Sequence, residues 1–195
     1  MPDSITKSSS FFMGVGFKYW DYMMIDIIKW LFVVGLFYAA IIVFVSYYKN
    51  QLYSGVIVKY GSYLKWFIKS LSSILIVCFS IVFLDGALFY RGNLIVGFCM
   101  ILLIAFNYTW KAICVFCLSN KSNYNIFICI FIVFEVVSIY KPHITRYNPF
   151  SWGMMARCEL ICEEGFNIWI SVVFYVVTCC FLYGVFRYKS IKRQG

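Results

Sequence analysis

Residues 50–69 read Asn-Gln-Leu-Tyr-Ser-Gly-Val-Ile-Val-Lys-Tyr-Gly-Ser-Tyr-Leu-Lys-Trp-Phe-Ile-Lys, the one long polar-apolar mixture lying between two strongly apolar segments. Lys59, Lys65 and Lys69, with Lys49 just ahead of them, come without any acid. Basic residues collect in the short cytoplasmic loops of membrane proteins, so this pattern is that of an inner connection between two transmembrane helices. Leu52, Val56, Tyr60, Leu64 and Phe67 recur at spacings of three and four, which predicts an amphipathic helix along the inner membrane surface. Gly61 either interrupts that helix or lets another surface pack closely against it. Such a loop offers a cytosolic partner a place to dock.

The rest of the chain is apolar enough to make the class plain. Hydrophobic residues are 63% of the 195, charged residues 13%, and the mean hydropathy is +0.84. Soluble proteins carry roughly 25% charged residues, so the expectation is an all-α polytopic membrane protein. With about 20 residues per span, the length allows about five transmembrane helices, six at most, and no separate soluble domain. Met1 to Ser10 are polar with a single lysine, and no small-residue cleavage site follows a short apolar core, so no signal peptide is expected. The formal net charge of +9 would suggest nucleic acid in a soluble protein. Here the bases sit in short loops with no aromatic-basic groove pattern, and orientation in the lipid bilayer accounts for them instead.

In chain order, residues 11–29 mix Trp20, Met23, Met24, Ile27 and Ile28 with Lys18, Asp21, Asp26 and Lys29. That suits a helix lying in the headgroup region, and residues 1–29 are taken as an interfacial N-terminal segment. Spans are expected over 30–48, 67–88, 94–117, 124–140 and 166–186. Asp85, Gly86, Arg91, Gly92 and Asn93 form the polar turn of a helical hairpin, and Asn107 and Lys111 mark an approach to the interface in the third span. Lys141 to Gly165 is the longest polar stretch near the C-terminus, and a basic tail with Arg187, Lys189, Lys192 and Arg193 closes the chain. With the tail, residues 49–70 and residues 107–123 inside, the inner segments hold ten Lys and Arg and no Asp or Glu. The outer segments hold the other seven bases and six of the eight acids, so the C-terminus is expected in the cytoplasm and the N-terminus outside.

Three groups of residues bear chemistry. Cys114 and Cys117 have the Cys-x-x-Cys spacing of thiol-disulfide exchange, and Cys158 with Cys162 forms a second pair on the opposite face. A membrane thiol-disulfide oxidoreductase is therefore one alternative, and a non-catalytic subunit of a larger membrane complex is another. His143, Arg146, Arg157, Glu159, Glu163 and Glu164 lie in the outer segment without any metal-ligand spacing, and the apolar Phe150, Trp152, Met154 and Met155 make its middle dip into the outer leaflet or cap the bundle. Glu135 and Asp85 are acids within or at the edge of spans. An ionisable group in hydrocarbon costs at least a few kcal/mol and usually faces the bundle interior, and Glu135, the deeper of the two, is the candidate pathway residue. No phosphate-binding loop, catalytic triad or metal motif is present, so nucleotide chemistry would belong to a separate polypeptide.

The segment Val56-Ile57-Val58-Lys59-Tyr60-Gly61-Ser62-Tyr63-Leu64-Lys65-Trp66 resembles the cytoplasmic basic-aromatic-Gly-Ser-x-x-Lys-Trp element of ABC-2-type exporter membrane subunits, the permeases of bacterial bacteriocin and lantibiotic export or self-immunity. Tyr147 to Arg157 is similar to the outer segment that precedes the last helix in that family. The resemblance implies a transmembrane subunit of an ATP-driven exporter in a bacterial plasma membrane, with a second permease, the same or a sister chain, and with ATP on a cytosolic ATP-binding subunit rather than any cofactor on this chain. It further implies that Lys59, Tyr60, Gly61, Ser62, Lys65 and Trp66 dock the ATPase. The family usually has six spans with both ends inside, and here its first helix is missing or replaced by residues 11–29.

Overall fold

The computed structural model describes residues 23–53, 61–89, 94–119, 123–140, 144, 146–154, 158–159 and 165–192. Among the described residues five long helices follow one another: α1 (Met23–Tyr53), α2 (Tyr63–Phe89), α3 (Leu94–Leu118), α4 (Tyr124–Tyr140) and α5 (Ile168–Lys192), with a short 3-10 helix at Pro149–Ser151 before the last. The chain is thus an all-α integral membrane protein. Four helices hold stretches long and apolar enough to cross a bilayer, Ile27–Gln51, Tyr63–Leu84, Gly97–Leu118 and Ile168–Tyr188. The fifth, α4, matches the expected 124–140 segment with 17 residues and is apolar but short.

Several boundaries differ from those read in the sequence: α1 runs on to Tyr53, past the expected end at 48, α2 begins at Tyr63 where 67 was expected, and α5 covers Ile168–Lys192 where 166–186 was expected. From Met23 the chain is already in α1, so the last third of the segment expected to lie at the interface continues into the first span without a break. Lys29 is therefore a residue within a long helix, near its start. Helix α2 likewise runs through Asp85 and Gly86 to Phe89, because within a helix every backbone donor but the first few is already satisfied and a lone Asp-Gly pair costs only part of that gain.

The start of α2 is fixed locally. Gly61 has φ of +66°, in the left-handed region that favours glycine, and Ser62 caps the helix by accepting from the Leu64 N–H at 3.2 Å. At α5 the cap is Asn167, whose Oδ1 accepts from Ile170 N at 3.0 Å. Glu159 adds a carboxylate at the positive end of the same helix, accepting from Ile168 N at 3.2 Å and from Asn167 Nδ2 at 2.7 Å. Within the spans, Ser70, Thr109, Ser138 and Thr178 donate to the carbonyl four residues back, which lets a hydroxyl sit in an apolar layer without an orphaned donor.

Helix α3 is the axis of the bundle. Of its spanning stretch 78% is buried, against 39% for α1, 28% for α2 and 17% for α5. It packs on all four other helices and on the 3-10 helix. Helix α1 turns one stripe inward, Trp30, Val33, Val34, Phe37, Tyr38, Ile41, Phe44, Val45 and Tyr48, while Phe32, Leu36, Val43 and Tyr47 face outward. Both faces are apolar because one meets protein and the other meets lipid.

The segment around the 3-10 helix enters the bundle instead of lying over it. Asn148 donates to the Phe134 carbonyl at 3.1 Å and to Ser138 Oγ at 2.6 Å, which ties the segment to α4. Phe150 packs against Trp110, Phe131 and Phe134, and Trp152 against Phe166, Phe174 and Tyr175. The sequence left open whether this segment dips into the outer leaflet or caps the bundle; its middle packs between the helices, and the depth it reaches brings the Pro149 carbonyl to Asn107.

Candidate functional site

Asn107 and Lys111 are one turn apart on α3 and share its inward face. Both were assigned to the interface from sequence, and that assignment is corrected: Asn107 is fully buried and Lys111 is 1% exposed. A lysine can sit there because a carboxylate comes to it. Lys111 Nζ lies 2.5 Å from Glu135 Oε1 on α4, and Glu135 is also 1% exposed. Tyr38 of α1 donates to the same Oε1 at 2.7 Å. The Lys111 ammonium also stands 4.2 Å above the ring of Tyr108, which stacks on Phe37 with centroids 3.8 Å apart. Tyr38 falls near the middle of the Ile27–Gln51 span, so the cluster joins three helices deep within the apolar layer.

Glu135 lies on the inward stripe of α4, with Ile128, Phe131, Ser138 and Ile139. Its second oxygen, Oε2, has no hydrogen-bond partner among the described residues, and no solvent reaches it. Next to this cluster, Asn107 Nδ2 donates to the Pro149 carbonyl at 2.9 Å and to the Tyr175 hydroxyl at 2.6 Å. Trp110 donates to Thr178 Oγ1 at 2.7 Å. The inner half of α3 thus carries a chain of polar contacts to α1, α4, α5 and the re-entrant segment. The signal in the sequence was the pair Asn107 and Lys111 at a spacing of four in an apolar run, with one acid in the following span to complement the lysine.

The predicted docking residues divide. Lys59 and Tyr60 lie outside the described residues. Gly61 and Lys65 are exposed and Ser62 is half-buried. Trp66 turns the other way: it is fully buried, and its ring lies within about 6 Å of Tyr48, Phe116 and Phe186, so one side chain ties the start of α2 to the ends of α1, α3 and α5. Its Nε1 donates to Gln51 Oε1 at 3.3 Å. At the same end of the bundle, Lys49 donates to the Ser119 carbonyl at 2.5 Å and to its hydroxyl at 2.7 Å, holding the end of α1 against the end of α3.

Cys114 and Cys117 are buried within α3. Cys158, also buried, makes a β-bridge with Phe166 beside the start of α5, at the opposite end of the bundle; Cys162 lies outside the described residues. Glu159 accepts from Ile168 N and from the α5 cap Asn167, and His143, Arg157, Glu163 and Glu164 lie outside the described residues. Among the described residues no three His, Cys, Asp or Glu side chains gather as a metal site. Comparison with protein-family models, curated proteins and solved structures found no match.

Proposed function

We propose that the chain is a transmembrane subunit of an ATP-driven exporter of the ABC-2 kind, pairing with a second permease, the same or a sister chain, and with a separate cytosolic ATPase. Peptides, exported or removed in self-immunity, are the substrate class in this proposal. The observation that carries it is Trp66. Gly61 and Lys65 are exposed, and the residue after Lys65 is a wedge in contact with three other helices. A push on the loop around Lys59 to Lys65 by a closing ATPase would therefore move α2 and, through Trp66, the ends of α1, α3 and α5 together. Lys59, Tyr60, Gly61, Ser62 and Lys65 form the contact surface in this scheme, and Trp66 transmits the force.

Orientation supports the same reading. The loop end of the bundle carries Lys49, Lys65, Lys69 and Arg187, and the other end carries Lys29 and Arg146 with Glu159, so the richer basic end is taken as the cytoplasmic one. The thiol-disulfide alternative gains no support, since Cys114 and Cys117 are both buried.

Purifying the full-length tagged chain from its native membrane tests the proposal. A polypeptide with a phosphate-binding loop and ATP hydrolysis should accompany it, and Lys59→Glu with Lys65→Glu should remove both while leaving the membrane abundance unchanged. Retention of the ATPase by that variant, or its absence from the unmodified complex, overturns the proposal.

A further inference from the structure

We infer that the cleft between the start of α2 and the end of α5 holds an anionic phospholipid, with its phosphate between Lys65 and Arg187 and its acyl chains along the two helices. Lys65 also belongs to the docking surface proposed above, but the lipid site needs no ATPase.

The fold brings the two bases to one level. Helices α2 and α5 each pack along α3 rather than along each other. Their ring contacts, among the described residues, all fall at the loop end: Trp66 with Phe186 at 5.9 Å, and Phe67 with Tyr183 at 5.1 Å and with Phe186 at 5.8 Å. Lys65 stands two residues before Phe67 and Arg187 one residue after Phe186, and both are exposed. The aromatic cluster is thus a floor with a cation on either side.

Charge selects an anion for this place. Residues 49–70 and 187–195 hold eight Lys and Arg and no Asp or Glu, so neither segment supplies a carboxylate to balance them. A guanidinium presents parallel N–H donors to two phosphate oxygens, and an ammonium adds a point charge. Basic pockets between membrane helices on the cytoplasmic side take lipid headgroups by this chemistry.

The surface beside the bases selects a lipid over a free anion. Leu64 and Ile68 flank Phe67 and are exposed. Leu71 and Leu75 follow Phe67 at steps of four, so they share its face of α2, and both are half-buried. On α5, Cys180 and Val176 precede Tyr183 by one and two turns and are exposed. Eight residues of helix carry this apolar surface about 12 Å beyond Phe67, toward the middle of the bilayer. A free phosphate would leave it bare, whereas an acyl chain lies along it. Half-buried Tyr183 stands between the two zones, an amphipathic ring where headgroup meets chain.

The purified full chain in a neutral detergent, free of any ATPase, tests this with phosphatidylglycerol, phosphatidylcholine or soluble glycerol phosphate added. A ligand held by the folded state raises the melting temperature, and native mass spectrometry counts the lipid retained. Phosphatidylglycerol should raise the melting temperature by several degrees and remain bound, while the other two should do neither. Lys65→Gln with Arg187→Gln should lose the difference between the two lipids. Lys29→Gln with Arg146→Gln, the same change of charge at the other end of the bundle, should keep it. Reading the difference cancels any loss of stability that a variant shows in both lipids. Equal effects of the two lipids overturn the inference, and so does an equal rise with glycerol phosphate, which would mark a site for a free anion. Survival of the difference in the Lys65 and Arg187 variant, its loss in the Lys29 and Arg146 variant, or a lipid-free dimer that only the former breaks apart overturns it as well. With no ATPase present, none of these results bears on the docking proposal.

Discussion

Asn107 and Gly153 come so close that a side chain on Gly153 would press against the Asn107 amide. A Cβ placed on Gly153 would stand 3.0 Å from Asn107 Oδ1, with Tyr108 Cε2 at 3.7 Å behind it. Asn107 cannot turn aside, because its amide nitrogen is held by the Pro149 carbonyl and the Tyr175 hydroxyl. Gly153→Ala should therefore destabilise the bundle by about 1–3 kcal/mol through overpacking, and Gly153→Val by more. Thermal unfolding in detergent measures it, and Asn107→Ala with Gly153→Ala should recover part of the loss from the clash.

The Lys111–Glu135 pair should show strong coupling in a double-mutant cycle. Removing one partner leaves the other charge buried, at a cost of about 3–5 kcal/mol, whereas an apolar replacement of both is often near neutral. Lys111→Met alone should therefore be less stable than Lys111→Met with Glu135→Met. Unfolding of the four proteins in one detergent gives the interaction energy directly, and additive effects would mean that the two side chains do not hold each other.

The all-α class and four of the spans were legible because lipid leaves the backbone no option but to satisfy its own hydrogen bonds, and long apolar runs report that directly. Which face of each run turns inward was not legible. Phe37 and Phe32 are equally apolar on α1, yet one is buried against Tyr108 and the other faces outward. Glu135 was singled out as a pathway candidate from its depth alone. Lys111 was passed over because a lysine near the end of a span ordinarily marks the interface, and only the fold brings it to a carboxylate on the next helix. Trp66 was grouped with the exposed loop by its neighbours in sequence, although a helix turns Lys65 outward and Trp66 inward one residue apart.

Trp66→Ala and Lys65→Ala should separate packing from docking. Loss of the buried indole opens a cavity among Tyr48, Phe116 and Phe186 and should cost about 3–5 kcal/mol. Lys65 is exposed, and its truncation should leave stability within about 0.5 kcal/mol of the unmodified chain. In the exporter proposal Lys65→Ala weakens recovery of the ATPase without changing the melting temperature, while Trp66→Ala lowers both. Unfolding and co-purification on the same samples provide the check.

Cys114 and Cys117 should behave as packing residues. Thiol exchange requires a thiolate that a disulfide can reach, and both sulfurs are enclosed within α3 and its neighbours. Treatment of the folded protein with diamide should leave both as free thiols, and mass spectrometry after denaturation and alkylation reads the result. Replacing both by alanine should lower stability by about 1–2 kcal/mol, the scale of losing two small buried groups. A disulfide formed readily in the folded chain, or activity lost in the alanine variant at unchanged stability, would return the thiol chemistry to consideration and would require α3 to expose a face that here lies against α5.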